Sequence, residues 1–120
     1  MLTATFTTDK ESGSIILRLV GHAGAAPKGH DTICAGASML AYTLAQTLQF
    51  MYEEGGLHKR PHINLKEGDT LIVAKPKAEK YMECLHAFFV MQVGYHLLAK
   101  SYPQYVELIS FGEPEEETEG

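Results

Sequence analysis

The sequence predicts an α+β domain of order ββαββαβ, a mainly antiparallel sheet with two long helices. Two observations carry that expectation. Short runs rich in Ile, Val, Leu, Thr and Phe come in pairs around glycine-containing turns, and each pair is followed by a long stretch with apolar positions at helical spacing. Size is the third: 120 residues at 45% hydrophobic and 21% charged content fit one compact core. Residues 1–112 are therefore read as a single domain and residues 113–120 as an acidic, solvated tail.

Leu2 to Thr8 and Ser14 to Gly21 flank the turn-rich D-K-E-S-G and read as a hairpin whose second strand ends at His22. After a Gly-rich loop, Asp31 or Thr32 caps a helix from about Ile33 to about Glu54, where Gly55 and Gly56 stop it. Ile33, Ala37, Leu40, Ala41, Leu44, Leu48 and Met51 form its apolar face. HINLKEGDTLIVAKP makes a second hairpin around E-G-D, closed by Pro76. A second helix runs from about Ala78 to Ser101, and Val106 to Phe111 form a last short strand. That helix is apolar nearly all round, with Tyr81, Met82, Leu85, Phe88, Phe89 and Val93 on one stripe and Cys84, Ala87, Val90, Met91, Gly94 and Leu98 on another. Such a helix needs cover on more than one side, which predicts a homodimer with this helix near the interface.

Charge narrows the function classes. The formal net charge is −5, but five of the fifteen acids are Glu113, Glu115, Glu116, Glu117 and Glu119, so the remaining ten balance the ten Lys and Arg. A near-neutral body with no basic cluster beyond Lys59 and Arg60 argues against direct nucleic-acid binding. MLTATFTTDK lacks a cationic start followed by an apolar stretch, and no apolar run is long enough for a membrane span, so a soluble, cytoplasmic protein is expected. Cys34 and Cys84 are read as free thiols.

The chemistry concentrates in GHAGAAPKGHDTIC, residues 21–34. Cys34 falls in the first turn of the first helix, where unpaired N–H groups and the helix dipole favour a thiolate. His22, at the end of the preceding strand, is placed to activate it, since a Cys and His pair is what acyl transfer needs. A buried cysteine acting as a small hydrophobe and an exposed loop histidine fit the same spacing. Cys84, mid-helix on an apolar stripe, is read as core, and His58, His62, His86 and His96 as ordinary surface or half-buried positions. His22, His30, Asp31 and Cys34 are all possible zinc ligands, but H-x7-H-D-x2-C matches no usual zinc spacing, and no metal or cofactor is expected. Gly24, Gly29 and the helix start lack the Lys and Ser/Thr of a phosphate loop.

Gly21-His22-Ala23, then Gly29 and Asp31, then Ile33-Cys34-Ala35 and Ser38, resembles the G-H-A…G-x-D-x-(V/I)-C-A-x-x-S signature of the ribosomal-processing cysteine protease (Prp) family. Length and element order are also similar. The resemblance implies a bacterial homodimer with a mobile loop beside the active site. It further implies a peptidase that removes a short N-terminal extension from a large-subunit ribosomal protein, with Cys34 as nucleophile and His22 as general base and acid. The oxyanion would then be held by N–H groups at the helix start, those of Cys34 and Ala35.

Asp31 either orients His22 or caps the helix; capping fits its spacing better, because a bare carboxylate beside sulfur disfavours the thiolate. Ser38 lies one turn after Cys34 and either backs the sulfur or packs the helix. His30 offers a competing imidazole, while Gly24, Pro27, Lys28 and Gly29 form the loop expected to meet substrate. The rival from another class is a non-catalytic ribosome-assembly or adaptor protein that binds the same partner and uses the loop only for contact.

Overall fold

The computed structural model describes residues 1–24 and 31–113. Its elements are strands β1 (Leu2–Asp9) and β2 (Ser14–Gly21), helix α1 (Thr32–Glu53), strands β3 (His62–Lys66) and β4 (Asp69–Ala74), helix α2 (Tyr81–Ser101) and strand β5 (Val106–Ile109). The expected ββαββαβ order is present. A single 3-10 turn, Ala78–Lys80, precedes α2, so the α-helix proper starts later than Ala78. The last strand ends at Ile109, because Ser110 turns the chain and binds the Glu113 carboxylate through its N–H (2.9 Å) and hydroxyl (2.8 Å). Glu113, expected in the solvated tail, is thus part of that turn; residues 114–120 lie outside the described chain.

The sheet order is β3-β4-β2-β1-β5. All pairs are antiparallel except β1 with β5, which run parallel and are joined in register from Leu2↔Val106 to Thr5↔Ile109. Alternation along the strands sorts the faces. Leu2, Ala4 and Phe6 of β1 point inward with Ile15, Leu17 and Leu19 of β2 and Ile72 and Ala74 of β4, while Thr3, Thr5 and Thr7 take the opposite face. Both helices cover the inward face: Ala37, Ala41, Leu44, Ala45, Leu48 and Met51 of α1 and Cys84, Phe88 and Tyr95 of α2 share one core with those strand residues. Leu40, expected on the buried face of α1, is only half-buried, since it packs sideways onto α2 at Gly94. A Cβ at Gly94 would come within 2.6 Å of Leu40 Cδ2, so glycine there is what lets the helices approach.

Tyr95 is the joint between the layers. It is fully buried, its ring centroid lies 5.9 Å from that of Phe6 on the sheet, and its hydroxyl donates to the Ala37 carbonyl of α1 at 2.8 Å. One side chain therefore ties α2 to the sheet and to the turn of α1 that follows Cys34. Away from that core, α2 exposes Met82, Phe89, Val90, Val93 and Leu97, with Met82 70% and Leu97 57% accessible. The helix is apolar on more sides than this chain covers. Arg60, half of the one basic pair, lies over the Tyr52 ring at 4.8 Å. No helix among the described residues is long and apolar enough to cross a membrane.

Removing only the Tyr95 hydroxyl, in Tyr95→Phe, should lower the unfolding free energy in urea by about 1 kcal/mol. Tyr95→Ala, which also opens a cavity between the layers, should cost about 3–5 kcal/mol in the same titration.

Candidate active site

The site sits at one end of the sheet, where four pieces of chain converge for reasons of register. β2 pairs with β4 so that Val20 stands opposite Asp69, which brings the end of β2 beside the β3–β4 turn. The Gly21 N–H donates to the Gly68 carbonyl of that turn at 3.0 Å. Gly21 is glycine of necessity: its φ is +95°, and a Cβ there would collide with the Met1 carbonyl. His22 follows directly, exposed, and Ala23 turns inward into a small satellite cluster with Ile33 and Val106.

Cys34 packs against that same cluster, beside Leu98, Ala99 and Tyr105. Its helix begins as expected, with Asp31 as N-cap: Asp31 Oδ1 accepts from the N–H groups of Ile33 (3.0 Å) and Cys34 (3.1 Å). The Ala35 N–H donates to the Asp31 carbonyl at 3.1 Å. The two N–H groups expected to hold the oxyanion thus serve the helix cap and first turn in this structure.

The thiol itself also departs from expectation. Burial pushes the Cys34 thiol above its ordinary range; the Ala23 backbone lowers it, while the neighbouring Asp31 carboxylate and the charge of Glu67 raise it. The helix start is electropositive, yet the same carboxylate that satisfies its N–H groups cancels that advantage at sulfur. Cys84 is the inert thiol it was read to be, fully buried in the core and pushed up to about 12, chiefly by burial.

Cys34 and His22 line one cavity of about 760 Å³ together with Gly21, Gly24, Asp31, Ala35 and Ser38. Ser38 and Ala35 are exposed on its wall, one face of α1. Pro27, Lys28, Gly29 and His30 lie outside the described residues. Among the described residues no group of three or more His, Cys, Asp or Glu side chains is gathered to hold a metal ion. The cavity wall also includes residues that sequence reasoning did not single out. Leu65, Glu67, Gly68 and Thr70 come from the β3–β4 hairpin and Tyr42 from α1, over a floor that includes Leu2, Leu19 and Ala41. Nothing in E-G-D marks it as more than a turn; only the strand pairing carries it to His22.

The family model of cysteine protease Prp matches residues 1–107. The chain belongs to the Prp cysteine protease family. The solved structure of the ribosomal processing protease Prp from S. aureus, in complex with a covalently linked product peptide, is 25% identical with a TM-score of 0.69, over 92% of this chain and 99% of that one. SMU.848 from Streptococcus mutans shares the fold at 23% identity and a TM-score of 0.63, over 92% of this chain and 95% of that one. No curated protein sequence matches this one. Gly21, His22, Asp31, Cys34, Ala35 and Ser38, all within the motif that carries the resemblance in the sequence, line one cavity.

The charge of Asp31 and its cap separate experimentally. Asp31→Asn keeps a capping oxygen and removes the charge, so the pH midpoint for alkylation of Cys34 by iodoacetamide should fall with little loss of stability. Asp31→Ala should lower the midpoint too and also cost about 1 kcal/mol of unfolding free energy. A midpoint unmoved in the Asn variant would show that the carboxylate charge does not hold the thiol protonated.

Proposed function

We propose that this chain is a cytoplasmic bacterial peptidase that removes a short N-terminal extension from a large-subunit ribosomal protein, with Cys34 as nucleophile and His22 as general base and acid. The observation that carries it is the shared cavity: within a Prp-family chain, the one thiol not sealed in the core and the strand-end imidazole line the same wall. The covalent product complex of the S. aureus relative supports a covalent thiol mechanism here.

In this mechanism His22 accepts the Cys34 proton and the thiolate attacks the scissile carbonyl, forming the C–S bond as the carbonyl oxygen takes the negative charge. The N–H groups of Cys34 and Ala35 at the helix start stabilise that charge by exchanging their bonds to Asp31 for the oxyanion. The C–N bond breaks as His22 returns its proton to the leaving amine, releasing the mature ribosomal protein. Water, deprotonated by His22, then attacks the thioester; the C–S bond breaks, the extension leaves as a carboxylate, and the thiol is restored. Because burial, with the Asp31 carboxylate adding to it, raises the resting thiol, His22 takes the proton as substrate enters the cavity.

The exposed apolar side of α2 supports a homodimer. Met82, Phe89, Val93 and Leu97 recur at helical spacing, and covering them against a second copy removes them from water. Phe89→Asp with Val93→Asp should halve the mass measured by light scattering during size-exclusion chromatography, and an unchanged mass places the subunit contact elsewhere.

Intact-mass analysis of the extended ribosomal protein after incubation with this chain tests the activity. Wild type should release the extension, Cys34→Ala should release none, and His22→Ala should slow release roughly 10²–10⁴-fold. An untouched substrate with wild type would favour the adaptor reading, and undiminished clipping by Cys34→Ala would overturn the nucleophile.

A further inference from the structure

The His22 ring lies on the backbone of the β3–β4 turn. A Cβ added at Gly68 would come 2.7 Å from His22 Nε2, 3.1 Å from Cε1 and 3.6 Å from Cδ2. The first of these distances is one that real Cβ atoms do not show, so glycine is what makes room for the imidazole. The turn is also pinned to the strand that delivers the histidine, through the Gly21 N–H to the Gly68 carbonyl and the Val20↔Asp69 pairing. The seat and the backbone that delivers the ring are therefore held in one frame.

A side chain at this position would meet the end of a movable, solvent-exposed ring rather than backbone. The fold can absorb it by swinging His22 away, so the constraint falls on the ring's position and not on folding. Gly68 also has a φ of +82°, but that requirement alone is met by Asn, which tolerates the left-handed region. Asn satisfies the backbone and still places a Cβ under the ring.

We propose that Gly68 is a positioning residue for His22: its bare Cα is the floor that seats the imidazole on the wall of the Cys34 cavity. The inference rests on the assignment of His22 as general base and acid. It adds a third chain segment to the machinery, contributed by the turn between β3 and β4.

The test compares Gly68→Ala and Gly68→Asn with Gly13→Ala. Gly13 sits in the β1–β2 turn with a φ of +73° and nothing within 4 Å of an added Cβ, so it carries the same backbone penalty without the contact. Two quantities are read: kcat and KM on a synthetic peptide spanning the extension junction, and the His22 ring signals in ¹H–¹³C NMR spectra. Both Gly68 variants should lose roughly 10²-fold in kcat, the scale of an ångström-sized misplacement, with KM little changed. Their His22 ring signals should shift, whereas Gly13→Ala should match wild type in both. Wild-type kcat in Gly68→Asn would reduce the requirement to backbone conformation and overturn the proposal, as would unmoved ring signals in both Gly68 variants. A wild-type protein that cuts no peptide overturns the catalytic assignment of His22 instead, and the ring signals still decide whether Gly68 seats the imidazole.

Discussion

A sheet with one apolar face must have that face covered, and in this chain both helices are committed to it. Phe6, Leu17 and Ile72 on the strands meet Leu44 and Leu48 of α1 and Phe88 and Tyr95 of α2 in a single core. Burying side chains of this size stabilises by about 1.5–3 kcal/mol each, so the placement of the helices is not negotiable. It fixes where β2 ends and where α1 begins, and those two ends bring His22 and Cys34 to one cavity. The active-site end of the molecule is thus a by-product of the covering problem, with Tyr95 holding the two helices and the sheet together.

The first turn of α1 carries two demands that conflict. Its N–H groups need an acceptor, and Asp31 supplies it to Ile33 and Cys34. A nucleophilic thiol at the same place is better served by leaving those donors free. The fold resolves this in favour of the helix: the cap is complete, and burial together with the Asp31 carboxylate raises the thiol. Under the proposed mechanism activation falls to the imidazole, so the seating of His22 matters more than it would for a cysteine ionised at rest.

Much of this was legible in the residues. Hairpins around D-K-E-S-G and E-G-D, the Asp31 cap and the buried Cys84 all follow from local chemistry: turn propensity, side-chain capping and period, each decided within a few residues. The signature from Gly21 to Ser38 was legible because it is nearly continuous in sequence. Less legible was the β3–β4 contribution. Glu67 and Gly68 reach the cavity only because β2 pairs with β4, not β3, and no local pattern in E-G-D encodes which strand its neighbour will join.

By itself, then, the sequence determined the element order and the family, and it singled out Cys34 and His22 as the candidate pair, since periodicity, caps and a contiguous motif are local properties. The tertiary structure decided what surrounds that pair. The parallel docking of β5 on β1, the engagement of the Cys34 and Ala35 N–H groups, the raised thiol and the Gly68 floor beneath His22 all depend on groups distant in sequence or on burial. Electrostatics and steric room at a point in space are sums over every neighbour, and neighbours are assigned only when the sheet closes its register.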